Sequence, residues 1–251
     1  MSHLTASQQL IARHHPEIQV DWVETIDSTQ SRVRPNSLLI SEHQGAGVGR
    51  RGNHWLTPSG QAICLSYRFT LPLTANQMHG YALVVGLSIA ATIRHFDPTA
   101  QPGLKWPNDL YHQGQKFGGI LINLHTSTNN GLDITVGIGI NWTLDQTQLD
   151  SVNQPVTNIP LKQPPARAEF ISQLITRIKT NNQRFTQRGW PAFLSDWLPL
   201  DVLLDQLITV QQDGQQHQGL CQGVDEQGRL LVLIDGRMKH FSGGQVSVRA
   251  I

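Results

Sequence analysis

A glycine-rich stretch between two apolar segments carries the residue types best suited to bind an anion. Residues 41–55 contain four glycines, the adjacent arginines Arg50 and Arg51, and the amide side chain of Gln44. Glycine lets the backbone approach a ligand closely, and guanidinium groups donate paired hydrogen bonds to carboxylate or phosphate oxygens. We therefore predict an active-site loop at residues 41–55. A flexible hairpin is the alternative that this stretch alone leaves open.

The same glycines match the spacing of a dinucleotide-binding fingerprint. Gly47, Gly49 and Gly52 satisfy the pattern G-x-G-x-x-G. In dinucleotide-binding proteins this pattern opens a helix whose N-terminus faces the pyrophosphate. Here Pro58 follows, and residues 61–69 alternate as a strand does, so the loop joins strand to strand. It also lacks the Lys-Ser or Lys-Thr ending of a P-loop, so both nucleotide-binding motifs are rejected.

A second informative stretch has the sequence Leu-Lys-Trp-Pro-Asn-Asp-Leu and covers residues 104–110. Most lysines are solvated surface residues. Lys105, however, stands at a predicted strand end beside Trp106, which favours a functional role. Asn108-Asp109 is typical of a turn, although the carboxylate is also suited to a magnesium-bound phosphate.

Two further features leave a structural and a functional interpretation open. Short polar side chains at 27–31, including Ser28 and Thr29, follow a predicted strand and suit either a helix N-cap or a small polar ligand. Glycines also interrupt two predicted strands, at 118–119 and at 137 and 139. Glycine weakens a strand, so its presence indicates either a backbone laid against a ligand or simple crowding within the sheet.

Hydrophobic periodicity predicts the elements that must position these residues. A polar segment at 143–162 interrupts the pattern, and a connection of this length is typical of a mobile lid or binding loop. Beyond Pro199, short apolar runs separated by glycine-containing turns indicate consecutive hairpins and a small barrel. Helices are predicted at about 4–15, 75–96, 166–184 and 190–198, with strands or apolar runs at 20–26, 37–41, 61–69, 116–123, 134–141, 202–204, 207–210, 218–224, 230–233 and 246–248.

Composition excludes several classes of partner. The 251 residues include 19 basic and 18 acidic side chains, a net charge of +1, so no strong field favours nucleic acid or an anionic membrane. Cys64 and Cys221 are far apart in apolar settings and are predicted to be reduced thiols. The apolar stretch 81–93 is shorter than the ~20 residues that span a bilayer. With no signal peptide pattern at the N-terminus, we expect a cytoplasmic protein with no membrane or nucleic-acid partner.

Three motifs together resemble the biotin protein ligases. They are Gln-Gly-Ala-Gly-Val-Gly-Arg-Arg-Gly at 44–52 with Trp55, Lys-Trp-Pro-Asn-Asp at 105–109, and Gly-Ile-Gly-Ile-Asn at 137–141. The resemblance extends from about Trp22 to Ile251, and the lysine motif is its most specific part. It implies an α/β (α+β) fold with two domains: a catalytic domain at 1–199, with a mixed sheet and helices like the class II aminoacyl-tRNA synthetases, and an SH3-like barrel at 200–251. It also implies a monofunctional enzyme, because the N-terminal repressor domain of some members is missing.

The resemblance further implies a two-step reaction. Biotin, ATP and Mg²⁺ give biotinyl-5′-adenylate, and the biotinyl group then passes to one lysine of the biotin carboxyl carrier protein of acetyl-CoA carboxylase or a related biotin enzyme. The first step joins two anions, so positive, preorganised donors are the expected catalytic device. A monomer or weak homodimer is expected. A lipoyl or octanoyl transferase and a non-catalytic biotin- or nucleotide-binding protein are the alternatives, the latter because Val48 replaces an arginine usual in the family.

Motif position implies a role for each candidate residue, and no protein ligand for a metal is assigned. Lys105 and Arg50 are the candidate catalytic groups, contacting the biotin carboxylate and the α-phosphate. The implied binding residues are Ser28, Thr29 and Gln44 for the ureido ring; Gly118, Gly119, Gly137 and Gly139 for the bicycle; Trp55 near the adenine; Asn141 near the ribose and phosphates; Arg249 near the triphosphate; and Gly47, Gly49, Arg51, Gly52 and Asn108 around them.

Overall fold

The computed structural model describes residues 3–52, 55, 57–128, 131–212, 214–243 and 247–250. Within these ranges the side chains of residues 3, 4, 51, 126–128, 247, 249 and 250 lie outside the description. None of the helices in the described ranges is both long and apolar enough to cross a bilayer.

A seven-stranded mixed sheet forms the centre of the molecule, in the order β1-β2-β3-β7-β6-β5-β4. Its first two strands are parallel, and every other neighbouring pair is antiparallel. The strands are β1 (Gln19–Ile26), β2 (Ser37–Gln44), β3 (Ala62–Leu71), β4 (Gly103–Lys105), β5 (Asp109–His112), β6 (Gln115–Thr128) and β7 (Gly131–Asn141). Side chains alternate between the two faces of each strand, so the register decides which residues meet.

One face of this sheet is covered by helices. Leu65, Ile138 and Ile120 are paired neighbours on three adjacent strands, and all are buried. Ile120 lies against Gly86 of a long helix, which places that helix on this face. The helices are α1 (His3–His14), α2 (Thr29–Arg32), α3 (Tyr81–Phe96), α4 (Gln146–Asp150), α5 (Arg167–Arg188) and α6 (Leu194–Trp197), with 3₁₀ turns at 50–52, 75–77, 190–193 and 198–200.

Polar and small residues occupy the opposite face. Ser66 of β3 pairs with Gly137 of β7, and its hydroxyl bonds to Thr29 of α2. Because strand residues alternate, Cys64 and Gly139 lie on this face as well. Gly137 and Gly139 therefore both lie on the face of the sheet opposite the helical core.

Five strands between residues 207 and 250 form a separate antiparallel sheet in the order β11-β10-β9-β8-β12. The indole of Trp106, in the turn after β4, donates to the carbonyl of Gly228 at 2.9 Å. The indole of Trp190 donates to the carbonyl of Asp225 at the same distance. Two buried tryptophans thus hold the turn between two strands of the smaller sheet. Its strands are β8 (Leu207–Gln212), β9 (Gln215–Val224), β10 (Leu230–Ile234), β11 (Arg237–Phe241) and β12 (Ser247–Ala250).

The coarse α/β architecture is as predicted, but several boundaries differ. Helix α3 begins at Tyr81 rather than 75, because Thr74 and Gln77 form a capping box on a separate 3₁₀ turn and Gly80 follows with a φ of 76°. Strand β2 continues to Gln44, so the glycine-rich loop begins at Gly45 rather than 41. The predicted helix at 190–198 is a succession of short helical segments, with the α-helix α6 between 3₁₀ turns at 190–193 and 198–200.

The segment at 143–162, predicted to be a mobile lid or binding loop, is more structured than a bare loop, whereas its mobility stays a prediction. Helix α4 lies within it, capped by the Asp145 carboxylate. Leu144, Ile159 and Leu161 are buried. The Ile159 amide donates to the Asn141 carbonyl at 2.8 Å, so the segment is fixed to the end of β7 by both apolar contacts and backbone bonds.

Two predictions for the smaller sheet also need correction. The apolar run at 202–204 is a turn, and strand β11 was not predicted. Four of the five β11 residues are exposed because the strand lies at the sheet edge, so its sequence has no apolar alternation.

Candidate active site

A cleft of about 560 Å³ opens on the polar face of the large sheet. Three of the predicted site residues line it: Ser28, Gly49 and Arg50. Val48, which is about half exposed, lies at the same cleft. The remaining lining residues are Asp27, Gln30, Ser31, Ala46, Leu121 and Asn123.

A hydrogen-bond network beside the cleft joins Thr29 to Gln44. The backbone N–H and hydroxyl of Thr29 donate to Gln44 Oε1 at 2.8 and 3.0 Å. The Ser66 hydroxyl lies 3.0 Å from Thr29 Oγ1 and 2.9 Å from Gln30 Oε1, and both can accept its proton. Ser28 occupies the N-cap position of α2 without a side-chain capping bond. The cap position was therefore correctly anticipated, although the Ser28 hydroxyl makes no capping bond, and the residue lines the cleft.

The strand glycines make room for two side chains of this chain. A Cβ atom at Gly139 would lie 2.5 Å from the Trp55 indole, and one at Gly137 would collide with the Gln30 amide. A Cβ at Gly118 would lie 2.8 Å from the carbonyl of Gly139. The interpretation as crowding within the sheet is therefore confirmed, and the interpretation that a ligand lies against these strands stays a prediction.

Trp55 is held against the sheet by this packing. Its Nε1 is buried and has no hydrogen-bond partner among the described residues. The Nζ of Lys116 lies 5.9 Å from the indole centre. Lys116 also pairs with Asp109 at 2.6 Å, so the carboxylate considered for magnesium is engaged by a lysine. Within the described part of the chain, no three His, Cys, Asp or Glu side chains are grouped to hold a metal.

Lys105, at the end of β4, is oriented by an aromatic neighbour. Its Nζ donates to the Tyr111 hydroxyl at 3.2 Å and lies 4.8 Å from the ring centre. Burial, with a smaller effect from the Asp109 charge, raises the pKa of Tyr111 to about 12. The phenol therefore stays protonated at neutral pH, and its oxygen accepts a hydrogen bond from the ammonium group.

Sequence reasoning missed Tyr111, although its position contained a signal. In the β4–β5 hairpin Lys105 pairs with Asp109, and Gly103 pairs with Tyr111. Tyr111 is therefore a diagonal cross-strand neighbour of Lys105 on the same face, a distance within reach of aromatic and long side chains.

Arg50 connects the glycine-rich loop to two other segments. Its Nη1 donates to Asn108 Oδ1 at 2.9 Å, and its Nη2 donates to the carbonyl of Gly243 in the C-terminal region. Asn108 is fixed in turn, because its Nδ2 donates to the Ile120 carbonyl at 2.7 Å and its carbonyl accepts from the Ile120 amide. The peptide between Trp106 and Pro107 in this turn is cis.

The remaining predicted site residues have structural roles of different kinds. Gly52 has a φ of 74° in the 3₁₀ turn, a conformation that favours glycine. Asn141 is buried, and its amide donates to the Thr157 carbonyl at 2.9 Å, so it supports the 143–162 segment. Gly47 packs against the Trp55 carbonyl, whereas Gly119 has only ordinary contacts. The side chains of Arg51 and Arg249 lie outside the described residues.

Two family models match this chain, one over the region of the large sheet and one over the region of the smaller sheet. Residues 18–141 match the biotin/lipoate A/B protein ligase family, and residues 203–249 match the biotin protein ligase C-terminal domain. These ranges include the large sheet with its polar face and the smaller sheet, respectively.

Individual relatives agree with this assignment. The bifunctional ligase/repressor BirA of Escherichia coli is 32% identical over 235 residues, covering 90% of this chain and 72% of the relative. The Salmonella typhimurium protein of the same name is 31% identical over 233 residues, with the same coverage. A biotin–[acetyl-CoA-carboxylase] ligase of Mycobacterium tuberculosis is 27% identical, covering 83% of this chain and 77% of that protein.

The fold is also that of a solved protein. The biotin protein ligase from Aquifex aeolicus in complex with biotin and ATP superposes with a TM-score of 0.78 at 24% identity, covering 93% of this chain and 99% of that one. The agreement of family models, relatives and fold leads to one conclusion. The chain belongs to the biotin protein ligase family.

Proposed function

We propose that this protein activates biotin with MgATP to biotinyl-5′-adenylate and transfers the biotinyl group to a lysine of a biotin carboxyl carrier protein. Family membership supports the reaction class, and relatives named for acetyl-CoA carboxylase support the carrier. One structural observation carries the proposal. The Thr29–Gln44 network, the glycine-bearing strands and the Arg50–Asn108 contact lie on or beside one polar face of the sheet.

The proposed first step needs positive charge where a carboxylate approaches a phosphate. Lys105 and Arg50 supply it: the ammonium is oriented by Tyr111, and the guanidinium by Asn108 and Gly243. Donors that are fixed before the reaction need little reorganisation as charge develops at the α-phosphorus. We assign Lys105 to the biotin carboxylate and α-phosphate, and Arg50 to the phosphate.

The ureido ring requires neutral donors and acceptors. We assign it to Ser28, Thr29 and Gln44, because Thr29 already occupies Gln44 Oε1 and so fixes the orientation of the amide. We therefore expect the site to reject biotin analogues whose ring lacks one of these hydrogen-bonding groups, because the buried polar groups of the protein would be left unpaired.

The bicycle is assigned to the slot between the glycine-bearing strands. Gly139 and Gly119 face each other in register on β7 and β6. In this structure Trp55 covers Gly139, so we propose that the indole leaves the sheet when substrates bind and then stacks near the adenine. This movement would give its unpartnered Nε1 access to water or substrate.

Magnesium is proposed to enter with the nucleotide. Mg²⁺ usually keeps several waters and binds phosphate oxygens with one or two carboxylates. The pairing of Asp109 with Lys116 fits a site in which phosphates supply most of the ligands. Gly47, Gly49, Arg51, Gly52, Asn108, Gly118, Asn141 and Arg249 remain proposed contributors to substrate binding.

The proposal includes a division into two domains at 1–199 and 200–251. The first would resemble the class II aminoacyl-tRNA synthetases, and the second would be an SH3-like barrel. The change from helical turns to antiparallel strands after residue 200 supports this boundary. We further propose a cytoplasmic monomer or weak homodimer.

Transfer to a carrier tests the proposed function. The protein is incubated with biotin, MgATP and a biotin carboxyl carrier domain, and the products are blotted with streptavidin. Labelling is expected to require ATP and to disappear when the acceptor lysine of the carrier is replaced by arginine. Octanoyl transfer to a lipoyl domain, with no biotin labelling, would favour the transferase alternative. Biotin binding without any transfer would favour a non-catalytic protein.

A further inference from the structure

Four side chains at the candidate active site form a continuous row of hydrogen-bonding oxygen atoms. In spatial order they are Gln44, Thr29, Ser66 and Gln30. Successive oxygen atoms are 3.0 Å apart between Gln44 and Thr29, 3.0 Å apart between Thr29 and Ser66, and 2.9 Å apart between Ser66 and Gln30. We call these four side chains the oxygen row.

The oxygen row has fewer protons than contacts. An amide oxygen only accepts hydrogen bonds, and a serine or threonine hydroxyl donates one. The Gln44 amide is oriented by the backbone N–H of Thr29, which donates to Oε1 at 2.8 Å. The Gln30 amide is oriented by the Leu121 carbonyl, which accepts from Nε2 at 3.4 Å. Two hydroxyl protons therefore serve three oxygen–oxygen contacts, and one contact always lacks a proton.

The acceptor that is left over can be reached by a ligand at Gln30. This residue lines the cleft, whereas Thr29 and Ser66 are buried. When Thr29 donates to Gln44 and Ser66 donates to Thr29, no hydroxyl proton remains for Gln30 Oε1. Within the described part of the chain, the Ser66 hydroxyl is the one donor placed to reach that oxygen. An N–H group in the cleft that donates to Gln30 would complete the set of donors.

The Gln30 amide also borders the slot assigned to the bicycle of biotin. A Cβ atom at Gly137 would collide with Gln30 Oε1, so this oxygen lies directly against the β7 backbone. The ureido ring of biotin carries two N–H donors. Gln44 Oε1 already receives the N–H and the hydroxyl of Thr29, which occupy both of its lone pairs. A ring that donates one N–H to Thr29 Oγ1 therefore needs a second acceptor.

We infer that Gln30 is a specificity-determining residue of the biotin site, and that its Oε1 accepts one of the two ring N–H groups. The inference rests on the proposed function, in which biotin is the substrate. It assigns a preference to the cleft: the ring must carry a donor on each side of its carbonyl. An analogue with oxygen in place of the N–H at Gln30 would bring two acceptors together and leave both unpaired, so it is rejected.

The probes are biotin and its two cyclic carbamate analogues, in each of which oxygen replaces one ring N–H. Binding to the full chain is measured by isothermal titration calorimetry. The unmodified protein is expected to bind biotin more tightly than either carbamate. Gln30→Met keeps the length of the side chain but removes the acceptor, and should weaken biotin binding by about 5-fold to 100-fold, the scale of one buried group left unpaired.

The carbamates supply a readout that a merely structural role would not change. In Gln30→Met, the preference for biotin over one of the two carbamates should disappear, because the N–H that this analogue lacks no longer has a partner. The preference over the other carbamate should remain. Gln30→Glu keeps an acceptor oxygen and should bind biotin more tightly than Gln30→Met does. Gln19→Met is the matched control, because it makes the same substitution at an exposed residue at the start of β1, and its biotin affinity should be unchanged.

Three results would overturn the inference. They are biotin binding by Gln30→Met as tight as that of the unmodified protein, an equal loss of affinity for biotin and both carbamates in that variant, and equal affinity of the unmodified protein for all three ligands. The proposed function fails separately: if the unmodified protein shows the expected preferences but transfers no biotin to a carrier, the role of Gln30 stands and the ligase reaction does not. A lack of biotin binding by the unmodified protein would overturn both.

Discussion

The Nζ of Lys105 lies 3.2 Å from the Tyr111 hydroxyl and 4.8 Å from the centre of its ring, so one aromatic side chain orients the ammonium in two ways. The two residues are close together in the sequence, and their contact depends on the β4–β5 hairpin, in which they are diagonal neighbours. Tyr111 is therefore a positioning residue in the proposed mechanism, and Lys105 is the group that meets substrate.

Replacing Tyr111 separates the two parts of this contact. Tyr111→Phe keeps the ring and loses the hydroxyl, so we expect adenylate formation to fall by up to about 10-fold, the scale of one hydrogen bond. Tyr111→Leu loses the cation–π contact as well, which contributes about 0.5–2 kcal/mol, and should be slower still. The measurement is kcat and KM for biotin-dependent pyrophosphate exchange. Activity in Tyr111→Leu equal to the unmodified rate would show that Lys105 does not depend on this neighbour.

Arg50→Gly is expected to release the adenylate early. The substitution removes the contacts to Asn108 and Gly243 that anchor the loop, together with the proposed bond to the phosphate. Biotinyl-adenylate in solution would label unrelated lysines, which a streptavidin blot of an added bystander protein detects. Arg34→Gly, at an exposed arginine paired with Asp21, is the control and should label the carrier alone. Carrier-restricted labelling by Arg50→Gly would contradict the anchoring role.

Gly139→Ala tests whether the glycine slot is required. Its Cβ would lie 2.5 Å from the Trp55 indole, and overpacking of this kind costs about 1–3 kcal/mol. We expect a lower melting temperature and weaker biotin binding. Gly45→Ala is the matched control, because the nearest atom to its Cβ is 4.0 Å away. If the two variants bind biotin equally well, the slot does not contain the ligand.

Both cysteines are expected to resist alkylation in the folded protein. Burial raises the pKa of Cys64 to about 11 and that of Cys221 to about 12. The thiolate is the reactive form, so almost none is present at pH 8. Mass spectrometry after iodoacetamide treatment should find neither residue modified until denaturant is added. Rapid modification of Cys64 in the native protein would mean that the polar face of β3 opens to solvent.

The site residues that could be predicted from sequence were those carried by contiguous motifs. Lys105 and Asn108 lie within four consecutive residues, and the loop that carries Arg50 stands out by its glycines, so neither required knowledge of the sheet register. Tyr111 and Lys116 were missed because their contacts with Lys105 and Asp109 depend on pairing between strands.

The remaining differences arise from contacts between distant parts of the chain. Arg50 binds the carbonyl of Gly243, which is 193 residues away, and no local pattern encodes such a contact. Segment 143–162 has isolated apolar residues without periodicity, yet Leu144 and Ile159 are buried because the end of β7 supplies partners. Local composition alone therefore gave no indication of these contacts.

We propose that Lys105 promotes attack of the biotin carboxylate on ATP, and biotin-dependent exchange of labelled pyrophosphate into ATP measures this step directly. We expect exchange to require biotin. In Lys105→Ala we expect it to fall by about 10²-fold or more, the scale of removing one preorganised electrostatic donor, with an unchanged melting transition. Exchange by Lys105→Ala at the unmodified rate, or the absence of biotin-dependent exchange by the unmodified protein, would contradict this role of Lys105.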